Sequence, residues 1–504
     1  MTGLAAVYYS VLAILCVYGA HRTWLMWSYY RRSAAPAPAV APDVHVGALP
    51  RVLVQLPMFN ERFVAERAIA AAAAMRYPRE LLEVQVLDDS TDDTRVLAAA
   101  AVERLRARGV RASYLPRAQR AGFKAGALAA GLERSDAELV AVFDADFVPP
   151  PDFLESTVGA FADPGVGMVQ MRWGHLNAAW SLLTRIQAAM LEGHFLFESC
   201  ARFRAGRLFN FNGTAGIWRR TAIEEAGGWA HDTLTEDLDL SYRAQLRGWR
   251  FVFVRDPVCP AELPVDMNGF KGQQRRWTRG GVQTARKLLP AVIRSGDLSP
   301  AQKVEATFHL TNGFAYVLLL LLCCLRPFVV PLGPDPISAL DLPVLLLATI
   351  SLCAFYALAQ REAGVPRLER LLVMPMVMAA GIGLSLSNSA AVLGGLTGRV
   401  GEFVRTPKHA VLGRREPLSV RRRPGRARRN AAYRPAAGWL PFGELALGAG
   451  FAFTAWRGAA VGDWAAFAFY LLFGCGFLYV GVSSLAAAWG ARAGARVEAV
   501  AAMP

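Results

Sequence analysis

Two carboxylates separated by one residue, Asp144 and Asp146, directly follow the apolar run 139–143. Carboxylate oxygens are the ligands that Mg²⁺ and Mn²⁺ prefer, and such a cation can bridge a protein to phosphate oxygens. Acidic turns are common, so the spacing alone is weak evidence, but its place after a predicted strand strengthens it. The pair is therefore a candidate site for Mg²⁺ or Mn²⁺ beside a phosphate group.

A second acidic pair, Asp88 and Asp89, ends the earlier apolar run 84–87. An acid at the end of such a strand can bind a ribose hydroxyl or a base edge, which favours a nucleotide as ligand. The alternative is a helix start, because residues 90–94 also suit a helix cap, and the two roles are compatible. Between the two acidic pairs, small residues around Lys124 allow close backbone approach to a phosphate that this lysine can bind.

A third acidic segment, Glu236 and Asp237 within Thr235-Glu236-Asp237, precedes a helix-like run. A carboxylate beside an acceptor hydroxyl can remove its proton, which makes Asp237 the candidate general base. The alternative is that these acids only complement the dipole at the start of a helix. A cation site, a phosphate-binding lysine and a base together match what transfer of a sugar from a nucleotide requires.

The segment Gln273-Gln274-Arg275-Arg276-Trp277 adds a basic and an aromatic group. Arg276 can pair with a diphosphate, and Trp277 offers a flat face on which a sugar ring can stack. The alternative is an aromatic residue at a membrane interface, flanked by basic residues.

Short apolar runs alternate with helical segments from residue 50 to about residue 277. Residues 51–57, 84–87 and 139–143 read as buried strands, and residues 61–75 as an Ala-rich helix. Strand, helix and strand at these spacings predict a parallel or mixed sheet with helices on both faces. Ligands of such sheets bind beyond the carboxyl ends of the strands, where the acidic segments lie.

Hydrophobic residues make up 54% of the 504 residues, more than an ordinary soluble enzyme contains. Residues 3–27 are long enough to cross a bilayer and are followed by Arg31 and Arg32, which predicts an uncleaved helix with its N-terminus outside. Residues 280–295 have one apolar face and predict an interfacial helix, with an ordinary surface helix as the alternative. The later apolar spans are 306–330, 341–360, 371–397, 438–457 and 463–489.

The number of later spans that cross the membrane follows from an Arg-rich segment, residues 399–434. If all five crossed, this segment would lie outside, against the positive-inside rule. We therefore expect residues 371–397 to be interfacial or re-entrant, with one membrane span before the α/β domain and four after it.

The net charge of +15 is concentrated beside the apolar spans, which indicates contact with membrane lipids and no nucleic-acid partner. The seven cysteines form no CxxC pair, so neither a disulfide framework nor a zinc site is expected.

Taken in order, these motifs resemble those of the processive family-2 glycosyltransferases, which include cellulose synthases, hyaluronan synthases and cellulose-synthase-like mannan and glucan synthases. The resemblance covers residues 50 to about 410 and rests on an early Asp pair, DxD, TED and QxxRW. Segments such as GFKAGAL (122–128) are closer to the mannan-synthase-like members. The resemblance implies an α/β domain of the GT-A type, a Rossmann-like mixed sheet, inserted on the cytoplasmic side between transmembrane helices and accompanied by interfacial helices.

The resemblance also implies roles for individual residues and inversion at the anomeric carbon by direct displacement. Asp146 would hold the metal with help from Asp144, and Asp237 would be the base. The residues implied to bind the nucleotide sugar are Asp88, Asp89, Lys124, Asp144, Arg276, Thr406 and Lys408. Those implied to contact the acceptor are Asn212, Glu236, Gln273 and Trp277.

Residues 403–408, which include Thr406 and Lys408, resemble the family's FxVTxK gating loop, with Arg405 where the pattern has Val. Asn212 stands where cellulose synthases carry Cys in the strand that contacts the acceptor. The predicted organisation is a transmembrane helix (1–30), a linker (31–49), the catalytic domain (50–279), an interfacial helix (280–300), two transmembrane helices (301–362), an interfacial or re-entrant helix (363–398), the gating loop with a basic segment (399–437), two transmembrane helices (438–490) and a cytoplasmic tail (491–504).

The expected protein is a multi-pass enzyme of the inner or plasma membrane that moves a hexose from UDP-glucose or GDP-mannose onto a growing β-linked glycan. The alternatives are transfer to a lipid acceptor, as in glycolipid synthases, and a non-catalytic membrane scaffold. The intact acids argue against the scaffold. Accessory export subunits and the identity of the sugar are not specified by these patterns.

Overall fold

The computed structural model describes residues 2–32, 49–330, 332, 336–398, 405–413 and 438–501. Most of the predicted linker, the basic segment at 414–437 and the first part of the predicted gating loop lie outside these residues.

Seven strands between residues 52 and 261 form one mixed sheet, the centre of the soluble α/β domain. They are β1 (Val52–Met58), β2 (Leu82–Asp88), β3 (Arg111–Pro116), β4 (Leu139–Val142), β5 (Val166–His175), β6 (Gly216–Arg219) and β7 (Arg250–Ala261). Their order in the sheet is β3-β2-β1-β4-β6-β5-β7. The pairs among β1 to β4 are parallel, β6 is antiparallel to both neighbours, and β5 pairs with β7 in parallel. The expectation of a mixed sheet is thus confirmed.

Sixteen α-helices occur in the described residues. They are α1 (Thr2–Arg31), α2 (Ala65–Ala73), α3 (Thr94–Arg106), α4 (Phe123–Leu132), α5 (Leu182–Glu192), α6 (Cys200–Arg204), α7 (Arg220–Glu225), α8 (Glu236–Leu246), α9 (Met267–Arg294), α10 (Pro300–Thr311), α11 (Phe314–Val329), α12 (Pro336–Glu362), α13 (Arg367–Gly383), α14 (Ser385–Leu396), α15 (Leu440–Ala460) and α16 (Trp464–Ala501). A π-helical turn, Gly193–Ser199, joins α5 to α6.

Strand β1 lies at the centre of the parallel part of the sheet, and all of its side chains except Pro57 are buried. Such a run of buried residues is typical of a strand that is covered on both faces. Its buried Gln55 donates from Nε2 to Gln85 Oε1 at 3.3 Å and to the carbonyl of Leu128 at 3.1 Å. The carboxyl ends of β1, β2 and β4 therefore meet at one fixed edge of the sheet.

Two described helices are long and apolar enough to cross a bilayer, within Gly3–Arg31 and Trp464–Trp489. Two bent pairs raise this number to four if each is one span: Pro300–Thr311 with Phe314–Val329, bent by 60°, and Arg367–Gly383 with Ser385–Leu396, bent by 42°. The second bend falls inside the segment expected to be interfacial or re-entrant. The count of five spans remains a prediction.

Helix α9 starts earlier than the sequence suggested, which corrects the predicted start of the interfacial helix at residue 280. It begins at Met267, where the Asp266 side chain accepts a hydrogen bond from the Gly269 amide at 2.9 Å. This cap provides an acceptor for the Gly269 amide, one of the backbone N–H groups that have no partner within the first turn of a helix. The Gln273–Trp277 motif consequently lies inside the helix and not before it.

A buried ion pair joins α9 to the C-terminal helices. Lys271 Nζ lies 2.6 and 2.8 Å from the two carboxylate oxygens of Glu444 on α15, and 3.2 Å from Ser484 Oγ on α16. Asn268, one turn earlier on α9, donates to the carbonyl of Ser484 at 2.9 Å. The helix that carries the predicted diphosphate-binding residues is thus attached to apolar helices by buried polar contacts.

Candidate active site

The predicted site residues come together in one cleft at the carboxyl ends of β1, β2 and β4. The cleft encloses about 160 Å³. Its walls include Asp89, Lys124, Asp144, Asp146, Asn212, Glu236, Asp237, Gln273, Arg276, Trp277, Thr406 and Lys408. Of the residues predicted to bind the donor, the acceptor or the metal, only Asp88 is not among the residues that line it.

Asp88 is a structural residue, which corrects its predicted contact with the nucleotide. It is fully buried, and its carboxylate accepts hydrogen bonds from the Ser90 amide at 2.8 Å and from the Tyr114 hydroxyl at 2.7 Å. Asp89, the first residue after β2, lines the cleft, whereas Asp88 does not. Asp88 instead fixes the turn that presents Asp89.

Arg117 holds Asp89 in place from the neighbouring strand end. Its Nε and Nη2 atoms donate to the two carboxylate oxygens of Asp89 at 2.7 and 2.6 Å. The same guanidinium also donates to the carbonyls of Ala121, just before α4, and of Phe123, its first residue. Sequence reasoning missed Arg117, although its place after β3 was a usable signal, since β3 ends at the same edge as β2.

Each carboxylate of the Asp144/Asp146 pair contacts a lysine. Lys124 Nζ lies 2.5 Å from Asp144 Oδ1 and also donates to the carbonyl of Gly213 at 2.8 Å. Lys408 Nζ lies 2.7 Å from Asp146 Oδ2. Burial opposes the charge of Lys124, yet the carboxylates of Asp144 and Glu236 raise its pKa overall. Two cationic groups therefore border the carboxylate pair in the cleft wall.

The two aspartates fit a divalent cation that also binds phosphate. Among the residues that the structure describes, no group of three or more His, Cys, Asp or Glu could hold a metal by itself. Mg²⁺ and Mn²⁺ sites with one or two carboxylates take their remaining ligands from substrate phosphates and water. The all-oxygen pair Asp144 and Asp146, both in the cleft wall, matches that pattern.

Asp237 lies in the cleft wall, in an environment that disfavours its charge. Burial, and after it the neighbouring Glu236 carboxylate, raise the pKa of Asp237 to about 7. The segment that carries Asn212 passes directly beside it: a methyl group added at Gly213, where φ is +78°, would lie 2.9 Å from Asp237 Oδ2. A carboxyl group with a pKa near neutrality is suited to general-base chemistry.

Helix α9 supplies the opposite wall of the cleft with Gln273, Arg276 and Trp277. The Trp277 ring lies 6.5 Å from the Trp173 ring, centroid to centroid, so two indoles border the cleft together. One turn further along α9, Gly280 is in contact with the segment before Glu236. A methyl group at Gly280 would lie 2.5 Å from Thr235 Cγ2 and 2.9 Å from the Thr235 amide nitrogen.

Residues 405–408, the described part of the predicted gating loop, lie against the cleft. Lys408 and Thr406 are 8% and 9% exposed, and the His409 amide donates to Glu262 Oε1 at 2.8 Å. Arg405, the departure from the FxVTxK pattern, pairs with Glu61 at 3.2 Å. Burial raises the pKa of Glu61 to about 8, although Arg405 opposes this shift.

Sequence reasoning missed Glu61 and Glu262, which also line the cleft. Glu61 follows β1 by a few residues and Glu262 directly follows β7. An acid after a strand was therefore again the signal, but neither residue belongs to a paired acidic motif.

A second, larger cavity of about 460 Å³ adjoins the cleft and extends among the apolar helices. Both cavities share the wall residues Trp173, Asn212, Thr235, Asp237, Gln273 and Trp277. Farther away the larger cavity is lined mainly by apolar residues of α1, α11, α13 and α16, such as Leu15, Leu319 and Phe473. Asp237 thus lies at the junction between the polar cleft and the larger apolar cavity. We call this junction, formed by the shared wall residues, the neck.

Residues 50–280 match the model of a protein family described as glycosyltransferase like family 2. The chain is 36% identical over 394 residues to glucomannan 4-beta-mannosyltransferase 7 of Arabidopsis thaliana, which covers 73% of this chain and 67% of that protein. It is 40% identical over 279 residues to glucomannan 4-beta-mannosyltransferase 1 of Oryza sativa subsp. japonica, which covers 54% of each. The chain spans about half the length of two of the rice relatives that it matches.

The fold is similar to that of a mannosyltransferase from Pyrobaculum calidifontis, PcManGT, solved in complex with GDP-Man and Mn²⁺. The two structures align with a TM-score of 0.55 and 23% identity, over 78% of this chain and 99% of the other. This likeness supports the GT-A-like fold of the soluble domain. With a family match over that domain and a relative more than one third identical along two thirds of its own length, the chain belongs to glycosyltransferase family 2.

Proposed function

We propose that this chain transfers mannose from GDP-mannose to the end of a growing β-linked glycan, with inversion at the anomeric carbon. The observation that carries the proposal is the convergence of Asp89, Asp144, Asp146, Asp237 and Arg276, from distant parts of the chain, on a single cleft. The names of the plant relatives and the GDP-Man in the archaeal structure favour mannose over glucose. UDP-glucose is the second donor to test.

In the proposed reaction, Asp237 accepts the proton of the acceptor hydroxyl as that oxygen attacks the anomeric carbon. The bond between this carbon and the diphosphate oxygen breaks as the new glycosidic bond forms, and the diphosphate leaves with the electron pair. Lys124, Lys408 and Arg276 surround the position of the diphosphate with positive charge. Asp144 and Asp146 would hold a divalent cation, which when bound neutralises part of the charge on the phosphates.

The neck supports a polymer acceptor. Asp237, Asn212 and Trp277 face both the cleft and the larger cavity, so an acceptor that lies in the larger cavity presents its end to the base. A chain lengthened at this end would move away along the larger cavity, among the apolar helices.

The decisive experiment incubates the purified chain in lipid nanodiscs with labelled GDP-mannose or UDP-glucose and with Mg²⁺ or Mn²⁺. We expect a ladder of β-linked products from GDP-mannose that an endo-β-mannanase degrades. A single labelled glycolipid would replace the polymer proposal with the lipid acceptor. Binding of the nucleotide sugar with neither transfer nor hydrolysis would leave a scaffold.

Asp237→Asn is the matching variant, and Asp232→Asn is its control. Asp232 precedes the same acidic segment but is exposed and pairs with Lys287 at 2.8 Å, outside both cavities. We expect Asp237→Asn to lose transfer and keep nucleotide binding, while Asp232→Asn keeps both. Equal loss of transfer and binding in Asp237→Asn would give Asp237 a structural role.

We further propose that the cleft faces the cytoplasm and that the chain is a multi-pass membrane protein. Arg31 and Arg32 at the end of α1 support this orientation by the positive-inside rule. To test this orientation, single cysteines are introduced into the α/β domain, and intact cells that contain these variants are treated with thiol reagents. Labelling by a membrane-impermeant reagent would reverse the orientation.

A further inference from the structure

A histidine in the wall of the larger cavity, His194, contacts two polar side chains through its two ring nitrogens. His194 lies in the π-helical turn Gly193–Ser199, and both His194 and Glu198 line the cavity. Single π-helical turns occur frequently at functional sites, because the wider turn re-aims side chains that an α-helix would direct elsewhere. Here the turn brings His194 against the segment before β6 that carries Asn212.

The first contact of His194 is with Glu198, which remains ionised. His194 Nδ1 lies 3.0 Å from Glu198 Oε2. Burial tends to raise the pKa of Glu198, but the hydrogen bond from His194 and the charge of Arg202 outweigh it and hold this pKa well below its usual range. A carboxylate only accepts hydrogen bonds, so His194 Nδ1 is the donor in this contact.

The second contact of His194 is with the amide of Asn212. His194 Nε2 lies 2.8 Å from Asn212 Oδ1, and Asn210 Nδ2 donates to the same oxygen at 3.2 Å. The backbone of Asn212 is fixed as well, because its backbone N–H group donates to Gln170 Oε1 at 2.9 Å. An amide oxygen only accepts hydrogen bonds, so His194 Nε2 is the donor to Asn212 Oδ1, and His194 donates from both of its ring nitrogens. The oxygen end of the Asn212 side chain therefore accepts two hydrogen bonds, which hold the side chain in one orientation.

The nitrogen end of the same amide is left without a partner. Asn212 Nδ2 is buried and makes no hydrogen bond with any residue that the structure describes. A buried donor without a partner is costly, and an oxygen of a bound ligand would satisfy it. Asn212 lies at the neck, in the walls of both cavities and next to the segment that contacts Asp237.

We propose that His194, held by Glu198, is an acceptor-positioning residue: it orients Asn212 so that the amide NH₂ donates to an oxygen of the terminal acceptor sugar. This inference rests on the proposed function. The hydroxyl that loses its proton to Asp237 and the oxygen that binds Asn212 then belong to the same sugar ring. Ordering that ring against the base favours the sugar over water as the attacking group, since orientation contributes a large part of the rate of such reactions.

The test measures how the donor is divided between transfer and hydrolysis. Wild type, His194→Ala and Asn212→Ala are purified in nanodiscs and given labelled GDP-mannose with a manno-oligosaccharide primer. Released GDP and extended primer are counted separately, and the dissociation constant for GDP is measured. We expect His194→Ala to keep its GDP affinity, to transfer about tenfold less, and to hydrolyse a larger share of the donor, as loss of one hydrogen bond to the acceptor implies.

Three comparisons separate positioning from a structural effect. The double variant His194→Ala/Asn212→Ala should be no worse than Asn212→Ala alone, because His194 acts through Asn212. His194→Gln, which can still offer a donor to Asn212, should recover part of the transfer. His231→Ala, an exposed histidine outside both cavities, should behave as wild type.

Several results would overturn the inference. They are a wild-type ratio of hydrolysis to transfer in His194→Ala, parallel loss of GDP affinity and transfer, and additive effects in the double variant. If His194→Ala does not fold, Asn212→Ala and His194→Gln decide in its place, and a wild-type ratio in Asn212→Ala refutes the role. A wild-type protein that transfers no sugar to the primer would instead contradict the proposed function.

Discussion

The acid limb of the pH profile should report the ionisation of Asp237. Burial and the charge of Glu236 raise the pKa of this carboxyl to about 7. Only the ionised form can take a proton from the acceptor, and kcat/KM reports groups of the free enzyme. We therefore expect kcat/KM to fall about tenfold for each pH unit below 7, so that at pH 6 about a tenth of the plateau value remains.

The perturbation that identifies the group is Glu236→Gln, which removes the neighbouring negative charge with little change in shape. Burial is the larger cause of the shift and the charge of Glu236 is the second. Removal of that charge should lower the pKa of Asp237 by on the order of one unit. At pH 6 the variant would then keep about half of its own plateau, against about a tenth for wild type, a relative gain of about fivefold.

The assay is kcat/KM for GDP-mannose in nanodiscs between pH 5.5 and 8.5, with each profile scaled to its own plateau. Glu103→Gln is the control, because Glu103 is an exposed acid on α3 that pairs with Arg106 far from the cleft. A lower plateau in Glu236→Gln does not affect the reasoning, because only the position of the limb counts. Identical limbs in wild type and Glu236→Gln, or no acid limb in wild type, would refute it.

Three further substitutions have defined outcomes. The raised pKa of Asp237 means that its ionised form destabilises the folded state, and this loss grows as pH rises from 3.8 towards about 7. At pH 8 the free energy of unfolding of Asp237→Asn should therefore exceed that of wild type by at most about 4 kcal/mol, and its unfolding temperature should be higher. Near pH 4 the difference should vanish. An equal gain in stability at both pH values would contradict this. Lys408→Met removes the cation beside Asp146, so calorimetry should show weaker GDP binding and tighter binding of Mn²⁺ alone; unchanged values for both would show that the ion pair has no influence on the site. Glu444→Gln leaves Lys271 buried without its carboxylate and should destabilise the fold by about 3 to 5 kcal/mol in thermal unfolding, whereas Lys271→Met/Glu444→Met should recover most of it; a double variant no better than the single would contradict the pairing.

The position of the candidate site followed from the sequence because parallel strands end at a common edge. Acids that follow apolar runs had to meet there, and Asp89, Asp144 and Asp146 do so. The choice between Asp88 and Asp89 did not follow, because the pattern leaves open which of two adjacent acids lines the cleft. The structure resolves it through the hydrogen bond from Tyr114 to Asp88.

Contacts between distant segments were beyond the sequence patterns. The pairing of Lys408 with Asp146 depends on how a segment near the C-terminal helices returns to the soluble domain. His194 could not be singled out either, because a lone histidine in an amphipathic run reads as an ordinary core residue. Its meaning comes from the π-helical turn and from Asn212, which only the folded chain brings together.

The contact between Gly280 and Thr235 limits where the specificity of this chain can change. Here the segment leading to Glu236 and Asp237 touches the backbone of the helix that carries Arg276, with no room even for one methyl group. The separation between Asp237, the proposed base, and Arg276, the proposed diphosphate-binding group, consequently depends on the contact of Gly280 with the side chain and the amide nitrogen of Thr235. We expect variants that accept other sugars to arise in the cleft walls, while any substitution at Gly280 pushes the Thr235 segment away from α9 and changes the spacing between Asp237 and Arg276.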